Sequence, residues 1–301
     1  MIATPGQGLF EMPVVAAMRN GYFTTEGLEV FKIQIQPEIA VKALIAGEVD
    51  YILAWEASVR AAMNGSPIKG VAIIASRPLH LFISRPEIRF AKDLKGKTVG
   101  VDSFGGIVDF LTRVAIRHSG FDPDGDLSVI ETGDTSLRLA ALRDGSIDAT
   151  VVDITPAVKA EEAGFKRLLH LGGVIDFPIS GITVTTAKLS TRRDQIKKVI
   201  RATLRGTRFI KQKRVESVAM IQSQLKITPA QAGRAYDASI RSFTDDGFAY
   251  DRAISLSMRR AREELQLAKD PPFNQVVDWS VLGEIKLEKN KIPFWIRIDE
   301  P

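Results

Sequence analysis

The chain repeats part of itself, and that repeat limits its folds more than any other feature. Residues 43–55 (ALIAGEVDYILAW) align without a gap on residues 141–153 (ALRDGSIDATVVD). Each copy reads as a helix end, a glycine suited to a left-handed C-cap, an Asp and a buried strand. The register continues through 61–65 (AAMNG) against 160–164 (AEEAG), and Ile2 to Gly8 plays the part of Val99 to Gly106. The expected fold class is α/β with two lobes of related order. Two-lobed α/β chains hold ligands in the crevice between the lobes, at the carboxyl ends of the parallel strands. The length of 301 residues suits two lobes of ordinary domain size.

Asp93 to Phe110 (DLKGKTVGVDSFGGIVDF) gives the repeat its chemistry. A polar turn precedes the apolar run Thr98–Val101, and Asp102-Ser103-Phe104-Gly105-Gly106 then opens an amphipathic helix. A helix start leaves backbone N–H groups unpaired, and glycines let a ligand approach the main chain. An anion or polar-ligand site is therefore expected here.

Composition excludes several classes. Without cysteine there is no disulfide scaffold, thiolate zinc site, iron–sulfur cluster or cysteine nucleophile. Gly96-Lys97-Thr98 lacks the first glycine of a phosphate-binding loop, since position 91 is Ala91. Gly6-Gln7-Gly8 is too short for a dinucleotide site, and no Gly-x-Ser-x-Gly elbow exists. His80, His118 and His170 show no metal-ligand spacing and read as ordinary surface or partly buried residues, so neither a metal nor a cofactor is expected. The net charge of +5 and the ten basic residues between Arg192 and Arg214 raise a nucleic-acid reading. However, Ile196, Val199, Ile200, Thr203, Leu204 and Ile210 recur at helical spacing, which puts the bases on a solvated face without interleaved aromatics. Nucleic acid is not an expected partner. No apolar run is long enough to span a bilayer. Ile2 already reads as strand, so the expectation is that an export segment was removed ahead of residue 1 or that the start is misassigned.

The elements place lobe 1 at 1–84, lobe 2 at 85–184, and a return strand with C-terminal helices at 185–301 packed on lobe 1. Hinges are expected near Ser84–Glu87 and Pro178–Thr183. The strand ends then name candidate ligand residues. In lobe 1 they are Gln7, Gly8, Leu9 and Phe10, then Trp55, Glu56 and Ser58. In lobe 2 they are Ser103, Phe104, Gly105 and Gly106, then Asp134 and Thr135, then Asp153 and Thr155. The repeat sets Trp55 and Asp153 at equivalent strand tips. Trp55 is either a flat platform with an N–H donor or a cap on the core. Glu56 and Asp153 either take an amine or ring N–H or cap helices. Ser103 and the glycines either hold a carboxylate, sulfonate or phosphate or cap a helix. Together the set suits a zwitterion or polar heterocycle better than nitrate.

Several segments follow one another in order: Met12-Pro13, Gly21-Tyr22-Phe23, Gly27-Leu28-Glu29-Val30, Gly47-Glu48-Val49-Asp50, Asp93 to Val101, and Arg138 with Ala140 to Ala149. From residue 4 to about Leu282 the chain resembles the solute-binding proteins of ABC importers of the nitrate, sulfonate, taurine and thiamine-precursor type (NMT1/THI5-like). The resemblance implies a type II periplasmic-binding-protein fold, working as a monomer that closes on one small molecule and passes it to an inner-membrane permease. It implies no catalysis and a periplasmic or membrane-associated extracellular location. It gives no meaning to the tail Lys286–Pro301. Pyrimidine-precursor and sulfinate-cleaving enzymes of this fold depend on cysteines that this chain lacks. The alternatives are a lyase or hydrolase of the menaquinone-biosynthesis kind and a ligand-sensing domain. The enzyme reading is weakened because no His or Lys is expected beside Glu56 or Asp153.

Overall fold

The computed structural model describes residues 1–291. Ten strands run along it: β1 (Ile2–Thr4), β2 (Lys32–Gln34), β3 (Tyr51–Ile52), β4 (Ile68–Ala75), β5 (His80–Ser84), β6 (Thr98–Val101), β7 (Ser128–Glu131), β8 (Ala149–Asp153), β9 (Lys166–His170) and β10 (Ser180–Thr185). They form two sheets, ordered β2-β1-β3-β10-β4 and β7-β6-β8-β5-β9. The first belongs to unit 1, made of Met1–Ser76, Pro178–Ser217 and the chain from Phe243 on. The second belongs to unit 2, made of Arg77–Phe177 and Val218–Ser242.

The two sheets share one plan. In unit 1, β1 pairs in parallel with β2 and β3, and β10 runs antiparallel to β3 and β4. In unit 2, β6 pairs in parallel with β7 and β8, and β5 runs antiparallel to β8 and β9. The sequence repeat is this topological repeat: β3 and β8 each follow a helix, Pro37–Ala46 or Thr135–Asp144, closed by a glycine at φ 78° (Gly47) or 87° (Gly145). Only a residue without a Cβ adopts that left-handed C-cap at little cost.

Each sheet lies on its own core. In unit 1, Ala3, Leu44, Ile52, Trp55, Ile68 and Ile73 meet Ile254 and Met258 of the helix Asp251–Leu265. In unit 2, Phe82, Val99, Val101, Val151 and Leu171 meet Leu111, Ala115 and Ile116 of the helix Ile107–His118. Full burial of such side chains stabilises by about 1.5–3 kcal/mol each.

The boundaries differ from those expected at three places. β5, expected to close lobe 1, belongs to the unit 2 sheet, because its partners are β8 and β9. β10, in the stretch expected to return the chain to lobe 1 but placed by the expected bounds in lobe 2, completes the unit 1 sheet. The chain passes between units at 76–77, 177–178, 217–218 and 242–243, so the expected Ser84–Glu87 hinge falls inside unit 2. Nor do the C-terminal helices all belong to unit 1. The helix Pro229–Ser239 is tied within unit 2 through Arg234 and Gln231, which donate to Glu162, while the Ala238 carbonyl lies 2.6 Å from His170 Nε2. Of the tail, Pro293-Phe294-Trp295 lies outside the described residues.

Candidate functional site

In unit 2, three loops leave the carboxyl ends of parallel strands: 102–106 after β6, 132–134 after β7, and the step from β8 into the helix Ile154–Glu162. The register sets Val101 opposite Glu131, which brings the first two loops side by side. Asp102, Asp134, Asp153 and His80 surround the Arg138 guanidinium closely enough to act on it or on one another electrostatically. His80 arrives from β5, paired with Asp153 across the antiparallel ladder, and its Nε2 stands 3.5 Å from Asp153 Oδ1.

The glycine loop is satisfied by the chain itself. Ser103 N donates to Asp102 Oδ1 (2.8 Å), Phe104 N to Glu131 Oε1 (2.6 Å), Gly105 N to Asp109 Oδ2 (2.9 Å) and Gly106 N to the Ser103 carbonyl (3.0 Å). These four amides already hold acceptors, so the loop itself is a carboxylate-filled turn, while the helix Ile107–His118 that follows it has no side-chain cap. Asp134 caps the helix Thr135–Asp144 by accepting from Ser136 N and Leu137 N, and Thr135 Oγ1 accepts from Arg138. Asp153 stands at the start of its helix but makes no capping bond, and its side chain is 61% exposed. Thr155 is half-buried in that helix's first turn.

Two residues here were not among the expected site residues. Arg138 is 2% exposed; it donates to the Gly133 carbonyl and to Thr135 Oγ1 (3.2 Å), and its Nε has no hydrogen-bond partner. Burial lowers its pKa, opposed by Asp102, Asp153 and Asp134. His80 is 9% exposed and its Nδ1 is unpartnered. Burial pushes its pKa down despite the Asp153 carboxylate, which keeps the ring neutral near pH 7. The expectation that no His stands beside Asp153 is therefore corrected. An Arg in the repeat's helix and a His opening a strand were readable, but only the β5–β8 pairing joins them.

In unit 1 the candidates scatter. Gln7 is exposed and Phe10 half-buried on the turn after β1; a Cβ at Gly8 would come within 2.5 Å of the Phe10 ring. Leu9 is 4% exposed and is a core residue. Trp55 is corrected in the same way: it is 1% exposed, its Nε1 donates to Ser257 Oγ (3.2 Å), and its ring covers Gly70 and Gly181, where a Cβ would lie 2.5 and 3.0 Å away. Ser58 is buried and donates back to the Ala54 carbonyl within its own helix. Glu56 lies in the first turn of the helix Trp55–Met63, 3.6 Å from Arg260 Nε, and caps nothing. A hollow of about 380 Å³ in unit 1 lies at the opposite end of the sheet, lined by Gly47, Asp50, Thr185, Lys188 and Arg192. Its charges are partly spent, because Lys188 donates to Asp50.

Residues 11–217 match the family described as NMT1/THI5 like. A riboflavin-binding protein, RibY, of Chloroflexus aurantiacus is 24% identical over 202 residues, which cover 64% of this chain and 57% of that protein's length. Among solved structures, the periplasmic aliphatic sulphonate binding protein SsuA of Escherichia coli superposes with a TM-score of 0.73 at 16% identity, covering 92% of this chain and 90% of that one. The desulfurization enzyme DSZB superposes at 0.68 with 12% identity, covering 97% and 99%. At these identities the likeness establishes the fold, that of the periplasmic binding proteins. With the family match spanning more than half of its length, the chain belongs to the NMT1/THI5-like family.

Proposed function

We propose that this chain is the solute-binding component of an ABC importer, working as a monomer in the periplasm or held at the outer face of a membrane, and delivering a small polar molecule to an inner-membrane permease. The candidates are a taurine-like or other sulfonate zwitterion, an aromatic acid, or a heterocyclic vitamin precursor. One observation carries the reading: Asp102, Asp134 and Asp153, with Arg138 of the helix Thr135–Asp144, gather at the carboxyl ends of three parallel strands, β6, β7 and β8, where α/β folds place their ligands. The relatives agree in kind, one being named for riboflavin and one for aliphatic sulphonates. No helix among the described residues is long and apolar enough to cross a membrane.

Thermal shift against taurine, alkyl and aryl sulfonates, pyrimidine and thiamine precursors, riboflavin and aromatic acids tests the proposal. A solute at a hundred times its Kd adds about 2.7 kcal/mol, and it should be recovered unchanged by chromatography. A second reading, a lyase or hydrolase, is favoured by the His80–Asp153 pair, which places a neutral imidazole against a carboxylate. A stabilising solute that is consumed over time would select that reading.

A further inference from the structure

Unit 2 meets its solute with acceptors. The loop amides of Ser103, Phe104 and Gly105 and the helix-start amides of Ser136 and Leu137 are filled by Asp102, Glu131, Asp109 and Asp134. Arg138, buried among Asp102, Asp134 and Asp153, turns its terminal nitrogens on the Gly133 carbonyl and Thr135 Oγ1. An anion seeking Arg138 would have to come close to three carboxylates, whose charge repels it. Asp153 is the exposed, uncapping member of the set. Behind it His80, nine-tenths buried, has no partner at Nδ1, which is an acceptor whenever Nε2–H points at Asp153. Phe104 and Leu137, each 56% exposed on the first two loops, add apolar surface.

We propose that unit 2 recognises the donor-bearing pole of the solute, an amine, amidine or N–H-rich ring joined to an apolar body, with Asp153 as its principal acceptor. Simple anions, sulfonates and nitrate included, are rejected at this site. The inference rests on the solute-binding reading and narrows it to a class of ligand.

Matched pairs that differ in the donor pole test it by calorimetry and thermal shift: benzamidine against benzenesulfonate, 4-aminopyrimidines against pyrimidine carboxylates, taurine against ethanesulfonate. The expected result is binding of the donor-bearing members, with Asp153→Asn weakening it roughly tenfold, the loss expected when one charge-assisted hydrogen bond is reduced to a neutral one. Because the Asp153 carboxylate also offsets the burial of Arg138, the melting temperature of the unliganded variant is measured alongside, and the loss of affinity is read only where the variant remains folded. Preference for the anionic members, or equal affinity in Asp153→Asn, overturns the inference and leaves the solute-binding reading intact. Failure of any small solute to bind, including those of a cell extract, removes both.

Discussion

Glu56 carries a carboxylate oxygen without a hydrogen-bond partner, with Arg260 Nε 3.6 Å away and Glu264 on the same neighbouring helix. Burial raises its pKa from 4.5 to about 7, opposed by Arg260 and Arg60 and helped by Glu264. Between those values the folded protein binds more protons than the unfolded chain, so stability falls as pH rises from about 4.5 to about 7. The loss is at most about 3 kcal/mol. Glu56→Gln, followed by urea unfolding across that range, should flatten the slope; a slope unchanged in the variant would remove Glu56 as its source. The sequence left two readings open for this residue and for Trp55, and it could not choose between them for the same physical reason. Their surroundings come from far along the chain: Ser257 and Arg260 from the helix Asp251–Leu265, and the glycines beneath the indole from β4 and β10. The repeat aligns Trp55 with Asp153, yet the helix begins at Trp55 in one copy and after Asp153 in the other. One sidechain therefore faces the core and its counterpart faces solvent.

Elements were easier to read than the partners they take. Periodicity and glycine C-caps locate Pro37–Ala46, Thr135–Asp144 and Asp251–Leu265 closely. They do not say that β5 joins the unit 2 sheet between β8 and β9, or that β10 sits between β3 and β4, since a fully buried strand carries no mark of its neighbours. Helix packing has one legible trace, Gly206 in the middle of the long helix Arg193–Gln212. That helix lies on Met12–Arg19, and a Cβ at Gly206 would overlap the Pro13 carbonyl oxygen and come within 3.0 Å of Ala17 N. Alanine would favour the isolated helix by about 1 kcal/mol, whereas overpacking a close backbone contact costs about 1–3 kcal/mol, with no flexible side chain to give way. Gly206→Ala should therefore lower stability in urea unfolding. A neutral or stabilising outcome would mean that the helices do not approach this closely.

At the scale of the whole molecule, charge is unevenly shared. Unit 2 holds sixteen Lys and Arg against sixteen Asp and Glu, so the net +5 of the chain resides on unit 1. The order of short motifs made the family legible because that order records topology; the state of the loop amides stayed hidden because it depends on which of them the carboxylates of Asp102, Glu131 and Asp109 take. The densest basic stretch, Arg193–Gln212, shows the same dependence on partners. Arg193 pairs with Glu284, Lys197 with Glu284 and Glu288, Arg201 with Glu26 and Glu288, and Lys211 with Asp245. Arg205 lies 4.4 Å over the Tyr22 ring. A phosphate backbone would have to displace these acidic partners, and only freely available cations release counterions on binding. The expected outcome is that anisotropy of labelled single- and double-stranded oligonucleotides shows binding weaker than about 10⁻⁴ M at 150 mM salt, the weak end of non-specific affinity. Micromolar binding that fell steeply with salt would show instead that the pairs open and that this helix face is a nucleic-acid surface.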